Sequence, residues 1–484
     1  MGGDMAQSAE SRGLTRPPNI VVVLADDWGY GDLACQNPDS RIPTPFCDGL
    51  ASQGMRFTDA HTGSAVCTPT RYGLLTGRYA WRSRLTRGVL WGYSAPLIDP
   101  EVPTLPAVLQ RAGYRTAAIG KWHLGLEWAR RVGSGPWPAN IDTPDADPTA
   151  HIDFTGPVVR GPHTAGFDRS FVLPASLDMA PYCFIRDGRI VTPPTDRCDD
   201  SPRPQYWRGG PISPGLTHAA VMPRLTQEAC EFLWDHYRTA TDQPFMLAFY
   251  PTLPHYPHIP NIPFQGKSGC GAYGDGVVEF DASVGAILAT LEATGQAENT
   301  IVIVTSDNGA DLSGGQAGFG HASNSWLRGQ KADIHEGGHR VPFIVRWPGV
   351  VDAGTVSDVT ICMTDIFATV ADAVGATIPK GGAPDSVSFR SVLDGASAGT
   401  QVRGSVIHHS MDGTFAIRSG PWKLSTGLGT GGFTAPRTIE ATPTGPTGTL
   451  FHLGDDPRET HDLWSEWPGE VARLRRELAD IRGR

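Results

Sequence analysis

Short continuous runs of apolar, β-branched residues recur along the chain and predict strands that are buried on both faces. These runs lie at 19–25, 116–119, 245–250, 300–305 and 341–346. Between and after them, apolar residues at helical spacing predict helices at 105–112, 277–293 and 365–374. Strands that alternate with helices are typical of a mostly parallel sheet covered by helices on both faces, so we predict an α/β fold.

The pattern changes near residue 400 and predicts a smaller C-terminal unit. Runs at 405–409 and 414–418 predict short strands, and the apolar stripe of 468–482 predicts a closing helix. The predicted organisation is a disordered or extended segment at 1–17, a catalytic domain at 18–400 and a C-terminal subdomain at 401–484.

Polar side chains follow the buried runs at the points where the predicted strands end. They are Asp26 and Asp27 after the first run, Lys121 and His123 after the second, His255 after the third, and Asp307 and Asn308 after the fourth. In open α/β sheets, ligands bind beyond the carboxyl ends of the strands. The sequence therefore predicts one site at this edge of the sheet.

Composition narrows the class of protein. With 58 glycines and 41 prolines in 484 residues, much of the chain is expected in turns and loops. A net charge of −10 without a basic run argues against nucleic acid as a partner.

No apolar run approaches the roughly 18 residues of a membrane span. The start of the chain is polar and lacks the apolar stretch of a signal peptide, which favours a cytoplasmic location. The sequence gives no signal for an oligomeric state.

The strongest local pattern runs from Cys67 through Thr-Pro-Thr to Arg71, followed by Leu75-Thr-Gly-Arg78. Here the chain resembles the type I sulfatases of the alkaline phosphatase superfamily, in which a maturation enzyme oxidises the motif cysteine to formylglycine. Further matching segments are 25–32, 120–125, 254–255, 306–309, 336–340 and 450–459. The resemblance implies an alkaline-phosphatase-like, mostly parallel mixed sheet between helices, with a small C-terminal antiparallel sheet plus a helix.

Two pairs of adjacent residues with oxygen donors, Asp26-Asp27 and Asp307-Asn308, suit a hard metal ion. Adjacent carboxylates repel one another unless a cation lies between them, and oxygen donors suit Ca²⁺ or Mg²⁺. The resemblance implies that Asp26, Asp27, Asp307 and Asn308 are the metal ligands and favours Ca²⁺, with Mg²⁺ as the alternative.

Lysine is rare, with five lysines among 40 lysine and arginine residues, and two of the five lie in the motif segments. By resemblance, Lys121 and Lys331 contact the sulfate group. Arg71 is predicted to orient the hydrated formylglycine, because residues i and i+4 share a helix face. Ser176 is the predicted polar contact to the substrate. For His321, His335 and His339 a structural role is expected.

These residues give a hypothesis for a sulfuric ester hydrolase of the arylsulfatase type. The hydrated formylglycine derived from Cys67 attacks sulfur as a covalent nucleophile, and His255 protonates the leaving oxygen as general acid. His123 then removes the proton from the second hydroxyl, and sulfate leaves by C–O cleavage. The expected partners are a small-molecule or saccharide sulfate ester and a formylglycine-generating enzyme.

Three alternatives stay open at this point. The first is a hydrolase of phosphomonoesters, phosphodiesters or phosphonates on the same scaffold. The second is a non-catalytic anion-binding protein in which Cys67 stays a thiol, and the third is a thiol hydrolase that uses Cys67 directly. The physiological ester (sugar, steroid, phenol or alkyl sulfate) is not identified by the sequence.

Overall fold

The computed structural model describes residues 16–396 and 399–483. The predicted N-terminal segment 1–17 therefore lies almost entirely outside the described residues. The strands are β1 (Asn19–Ala25), β2 (Met55–Phe57), β3 (Ala60–His61), β4 (Arg115–Lys121), β5 (Arg169–Leu173), β6 (Ile185–Arg186), β7 (Arg189–Ile190), β8 (Asp196–Cys198), β9 (Gly210–Ile212), β10 (Phe245–Tyr250), β11 (Thr300–Ser306), β12 (Phe343–Arg346), β13 (Thr355–Ser357), β14 (Ile361–Cys362), β15 (Ser405–His409), β16 (Phe415–Ser419), β17 (Trp422–Ser425) and β18 (Thr449–His452). The α-helices are α1 (Pro45–Ser52), α2 (Cys67–Thr76), α3 (Leu105–Arg111), α4 (His218–Thr239), α5 (Gly271–Ala293), α6 (Glu336–His339), α7 (Asp365–Ala373), α8 (Arg390–Leu393) and α9 (Pro468–Gly483).

A ten-stranded mixed sheet forms the centre of the molecule, in the order β13-β2-β12-β11-β1-β10-β4-β5-β6-β7. Its five central strands, from β11 to β5, are all parallel to one another. Antiparallel pairs flank this core on both sides, at β11–β12 and β12–β2 on one side and at β5–β6 and β6–β7 on the other. The predicted mixed, mostly parallel sheet is confirmed.

Helices cover both faces of the sheet. Alternate residues of β1 point to opposite faces, so Ile20 and Val22 belong to one apolar core while Val21 and Val23 belong to the other. The first core also takes residues from α2, α3, α7 and α8, and the second takes residues from α1, α4 and α5. Burial on both faces explains why β1 reads as a continuous apolar run.

The C-terminal unit is a four-stranded antiparallel sheet, β15-β16-β17-β18, against which α9 packs. The predicted stripe of α9 is present, since Val471, Leu474 and Leu478 are buried in one core with residues of the small sheet. Tyr79 and Cys362 join the same core from the larger part of the chain. The boundary between 18–400 and 401–484 stays a prediction.

Two properties of the described residues bear on the type of protein. None of the described helices combines the length and the apolarity needed to cross a bilayer. All eight cysteines lie within the described ranges, and none of them is paired with another.

Candidate active site

Neighbouring parallel strands bring the predicted polar residues to one edge of the sheet. β1 and β11 pair with Ala25 opposite Ser306, so Asp26 and Asp307 leave the sheet side by side. On the other side of β1, β10 lies between β1 and β4, and β4 ends at Lys121. The carboxyl ends of these four strands therefore assemble one cluster of charged groups.

Three buried carboxylates in this cluster are each paired with a buried cation. The pairs are Lys121 Nζ with Asp26 Oδ2 at 2.7 Å, Lys331 Nζ with Asp27 Oδ2 at 2.7 Å, and Arg71 Nη2 with Asp307 Oδ2 at 2.8 Å. An unpaired charge at such depth would cost several kcal/mol. The predicted anion-binding lysines and the predicted metal ligands thus lie in direct contact.

Asn308 has an amide oxygen that is free to bind a ligand. Its Nδ2 donates a hydrogen bond to Asp27 Oδ1 at 2.7 Å, which fixes the orientation of the amide. Its Oδ1 is buried and accepts no hydrogen bond from any described residue. Because a buried acceptor without a partner is costly, this oxygen is suited to coordinate a cation.

Crowding of the carboxylates gives a second indication that a cation fits here. The pKa of Asp27 is raised to about 7, because burial and the neighbouring charges of Asp26 and Asp307 outweigh the opposing effect of Lys331. Asp26, Asp27 and His255 each present a ligand atom within 4.8 Å of the others. Carboxylate and amide oxygens are the ligands that Ca²⁺ and Mg²⁺ prefer, so the residues present fit the predicted ion.

Cys67 is the first residue of α2, and its side chain is buried. Burial raises the pKa of the Cys67 thiol above its ordinary value, although Lys121 and Lys331 oppose the shift. One turn further along α2, Arg71 donates a hydrogen bond from Nη1 to the backbone oxygen of Lys121 at 2.9 Å. The motif helix is therefore bonded directly to the end of β4, and its cysteine is a weakly acidic thiol.

His123 is a neutral, fully buried imidazole with one free nitrogen. Its Nε2 donates a hydrogen bond to the backbone oxygen of Leu90 at 2.7 Å, whereas its Nδ1 is buried and has no partner among the described residues. Burial, followed by the charges of Lys121 and Arg71, holds the pKa of His123 well below its usual range. Nδ1 therefore carries a lone pair that can accept a proton.

His255 is a second buried imidazole next to the carboxylate cluster. Its Nδ1 donates a hydrogen bond to the backbone oxygen of Tyr256 at 2.7 Å, and its Nε2 is 3.8 Å from Asp27 Oδ2. Burial, then Lys331 and Lys121, keep the pKa of His255 well below its usual range. The ring therefore holds its single proton on Nδ1, and its Nε2 lies beside the ligand cluster.

The predicted contact residue Ser176 follows β5, a strand that the sequence pattern did not predict. Its Oγ lies 3.3 Å from Nδ1 of His255. Two residues further on, Asp178 pairs with Arg208 at 2.6 Å. Neither Asp178 nor Arg208 was singled out from the sequence. The available signal was weak, since Asp178 lies in the same short segment as Ser176 and Arg208 lies in a loop-rich stretch.

A structural role is expected for three further histidines, and each of them contacts another buried residue. His321 Nε2 is 2.8 Å from Asp32 Oδ1. The ring of His335 contacts Glu459, and Nδ1 of His339 is 3.1 Å from Nδ1 of a further buried histidine. Their contacts to buried partners agree with the structural role expected for them.

Comparisons with known proteins place this site in context. A family model described as Sulfatase matches residues 18–376. The N-acetylgalactosamine-6-O-sulfatase of Bacteroides thetaiotaomicron is 31% identical over an alignment that covers 97% of this chain and 94% of that protein. Human arylsulfatase A is 30% identical, with 97% of this chain and 87% of that protein covered. A solved Bacteroides thetaiotaomicron structure, described under the metabolism of multiple glycosaminoglycans, has a TM-score of 0.81 at 30% identity and covers 97% of this chain and 100% of that chain.

Proposed function

The chain belongs to the sulfatase family, and from this membership we propose that it removes sulfate from sulfated saccharides. The hydrolysis of sulfate esters and the alkaline-phosphatase-like fold follow from the family, and nothing in the comparisons favours the phosphoester alternative. A sugar ester is supported by the relative named N-acetylgalactosamine-6-O-sulfatase, which aligns with nearly the whole chain. Aryl sulfates are expected to serve as test substrates, since arylsulfatase A is similarly related.

The observation that carries this proposal is the position of Cys67 at the start of α2, where the charges of two lysines and two carboxylates, Asp26 and Asp307, act on its buried thiol. The high pKa of its thiol argues against direct attack by a thiolate. We therefore expect oxidation of this residue to formylglycine. When present, the hydrated aldehyde supplies one hydroxyl that attacks sulfur and a second hydroxyl that drives the release of sulfate.

The residues around position 67 have distinct roles in this scheme. The ammonium groups of Lys121 and Lys331 neutralise sulfate oxygens and concentrate positive charge where negative charge develops. Nδ1 of His123 accepts the proton of the second hydroxyl, because its lone pair is free and its Nε2 is held by a backbone oxygen. His255 must first take up a proton at Nε2, which the negative charge of the bound ester favours, before it delivers that proton to the leaving oxygen. Arg71 orients the residue at position 67.

A divalent ion completes the proposed centre. Asp26, Asp27, Asp307 and Asn308 would hold it, because these donors are all oxygen atoms, and we propose Ca²⁺ with Mg²⁺ as the alternative. When bound, the ion neutralises carboxylate charge and polarises the oxygens of the bound ester. Lys121 and Lys331, which now contact two of these carboxylates, would then be free to bind sulfate.

The activity is tested with the sulfate and phosphate esters of 4-nitrophenol, together with one sugar sulfate. We expect protein made together with a formylglycine-generating enzyme to hydrolyse 4-nitrophenyl sulfate and N-acetylgalactosamine 6-sulfate much faster than 4-nitrophenyl phosphate. The Cys67→Ala variant is the control and should lose turnover of both sulfate esters. Faster hydrolysis of the phosphate ester than of the sulfate esters would contradict the proposal. So would a Cys67→Ala variant that hydrolyses the sulfate esters as fast as the wild type.

The metal is tested by a readout other than turnover. Treatment with a chelator should lower Tm, because the carboxylates then repel one another, and Ca²⁺ should restore Tm. Asp307→Asn should abolish the rise in Tm that Ca²⁺ causes. A Tm that does not respond to chelator or to either Ca²⁺ or Mg²⁺ would contradict a metal centre.

A further inference from the structure

A cavity of about 350 Å³ adjoins the catalytic histidines through two stretches of chain. Residues that line it include Trp91, Tyr93, Asp147, Met179, Arg197 and Arg208. One wall begins next to Leu90, whose backbone oxygen accepts the hydrogen bond from His123. The other wall follows Ser176, which contacts His255. Arg208 lines this cavity and pairs with Asp178, a carboxylate whose pKa is influenced by His255 and Lys121, so a ligand in the cavity would lie near the sulfate site.

Asp178 lies between Ser176 and this wall and has one carboxylate oxygen without a donor. Its Oδ2 accepts a hydrogen bond from Arg208 Nη1 at 2.6 Å. Its Oδ1 is buried and accepts no hydrogen bond from any described residue. A buried carboxylate oxygen that is left without a donor is destabilising. It is therefore a place where a ligand can supply a donor.

The charge state of Asp178 determines which groups it can recognise. Burial alone would raise the pKa of Asp178, but the charges of His255, Arg208 and Lys121 hold it below its ordinary value. The group is thus a carboxylate, which can only accept hydrogen bonds. Because the cations of the sulfate site act on it, Asp178 belongs to the same electrostatic environment as the reaction.

Arg208 provides the complementary donor. Its guanidinium lies over the ring of Trp91, with 4.9 Å between the guanidinium carbon and the ring centroid. Its side chain is 29% exposed, and the hydrogen bonds described for it use Nη1 only. Other N–H groups of Arg208 can therefore face a ligand, directly beside the free oxygen of Asp178.

We propose that Asp178 and Arg208 bind a hydroxyl of the sugar ring that carries the sulfate, with the ring or its neighbour lying in the adjoining cavity. A hydroxyl can donate to a carboxylate and accept from a guanidinium at the same time. The pair would favour saccharide esters over aryl esters, because an aryl ester such as 4-nitrophenyl sulfate has no hydroxyl to offer. The inference rests on the proposed saccharide substrate and adds the residues that recognise it.

The test compares two substrates in one variant. Asp178→Asn keeps the shape of the side chain, and an amide oxygen held by Arg208 leaves an N–H₂ group where the free acceptor was. We expect kcat/KM for N-acetylgalactosamine 6-sulfate to fall at least tenfold further than kcat/KM for 4-nitrophenyl sulfate, with the extra loss mainly in KM. Glucosamine 6-sulfate and galactose 6-sulfate extend the panel.

Controls separate this result from damage to the fold. Asp235→Asn removes a half-buried carboxylate on α4 that pairs with Arg115 on β4 and should leave both substrates unaffected. Should Asp178→Asn fail to fold, as judged by its Tm, Arg208→Met removes the donor of the same pair and is expected to show the same selectivity.

The outcomes distinguish the inference from the proposed function. Wild-type turnover of 4-nitrophenyl sulfate without turnover of any sugar sulfate would contradict the saccharide substrate itself. If the wild type does hydrolyse a sugar sulfate, equal losses on both substrates would show that Asp178 only supports the catalytic residues. No loss on either substrate would indicate that Oδ1 is satisfied by water. Either of these last two results would overturn the inference about Asp178 and Arg208 without contradicting the proposed saccharide substrate.

Discussion

Two active-site residues, Asp27 and His123, have backbone torsions that residues other than glycine rarely adopt. Their φ angles are 67° and 56°. Such conformations cost about 1–3 kcal/mol and persist where surrounding contacts enforce them. The carboxylate of Asp27 is held by Lys331 and Asn308, and the ring of His123 is held by a backbone oxygen. Contacts from several elements thus fix the two side chains to which the proposed chemistry is assigned.

Replacing Lys331 by alanine tests its role in binding the anion. One lost charged contact to the reacting group is expected to lower kcat/KM for 4-nitrophenyl sulfate by about 10²–10³-fold. Inhibition by inorganic sulfate should weaken in the same variant, because the same ammonium group binds both anions. Lys267→Ala removes an exposed lysine and is the matched control. Unchanged turnover and unchanged inhibition would rule out the assigned role.

At the residue scale, the sequence identified the groups that follow predicted strands or lie in the cysteine motif. Lys121, His255 and Asn308 belong to this class. Asp178 and Arg208 were not identified, because their significance comes from a contact between loops that are 30 residues apart. The free oxygen of Asp178 results from how the loops pack, so no spacing pattern in the chain predicts it.

At the scale of elements, the apolar runs located the strands that support the site. β1 and β10 have the predicted bounds, since both are buried on both faces. The run at 341–346 becomes a strand only from residue 343, because Pro342 has no N–H for the ladder. α5 begins before the predicted residue 277, at Gly271, where a glycine-rich first turn hides the helical pattern. β5 was missed, since it is short and lies in a loop-rich stretch.

The contact between β4 and β10 depends on Gly120, the residue before Lys121. A Cβ atom at Gly120 would lie 1.9 Å from the backbone oxygen of Tyr250, and the φ of Gly120 is +122°. Gly120→Ala should therefore push the strands apart, lower stability by about 1–3 kcal/mol and reduce turnover by displacing Lys121. Thermal unfolding and kcat measure the two effects.

Gly113→Ala is the matched control for this substitution. Gly113 also has a positive φ, of +88°, but a Cβ atom there would meet nothing within 4 Å. Alanine at position 113 would have a strained backbone conformation but no steric clash, and position 113 lies away from the site. Equal losses of stability and activity in the two variants would contradict the role assigned to close packing at Gly120.

At the scale of the molecule, a buried ion network joins the C-terminal sheet to the larger part of the chain. Lys423 on β17 lies 3.0 Å from Glu336 on α6 and 2.9 Å from Glu459. All three side chains are almost completely buried. The sequence predicts the small sheet and α9, but it favours an ordinary surface position for Lys423. That expectation is wrong, because its two partners come from distant segments and bury its ammonium group.

Replacing Lys423 by methionine should leave two buried carboxylates without their main counter-ion. The expected loss is about 3–5 kcal/mol at pH 7. Burial alone would raise the pKa of Glu336 and of Glu459, but Lys423 is the main cause that lowers both. In the wild type this stabilisation is present above the ordinary glutamate pKa and is lost as the pH falls below it. In the variant the carboxylates accept protons more readily.

The difference in Tm between Lys423→Met and the wild type should therefore be larger at pH 7 than at pH 4. Thermal unfolding followed by circular dichroism at both pH values measures it, with Lys267→Met as the exposed control. A deficit that is the same at both pH values would mean that the loss comes from packing and not from the charges of the network.

The most direct test of the whole account is the chemical identity of residue 67. The protein is made together with a formylglycine-generating enzyme, digested, and the peptide that contains residues 67–71 is examined by mass spectrometry. The account predicts that the thiol has been replaced by an aldehyde or its hydrate, in step with sulfate ester turnover. A peptide that keeps intact cysteine in a sample that hydrolyses sulfate esters would contradict the proposed chemistry.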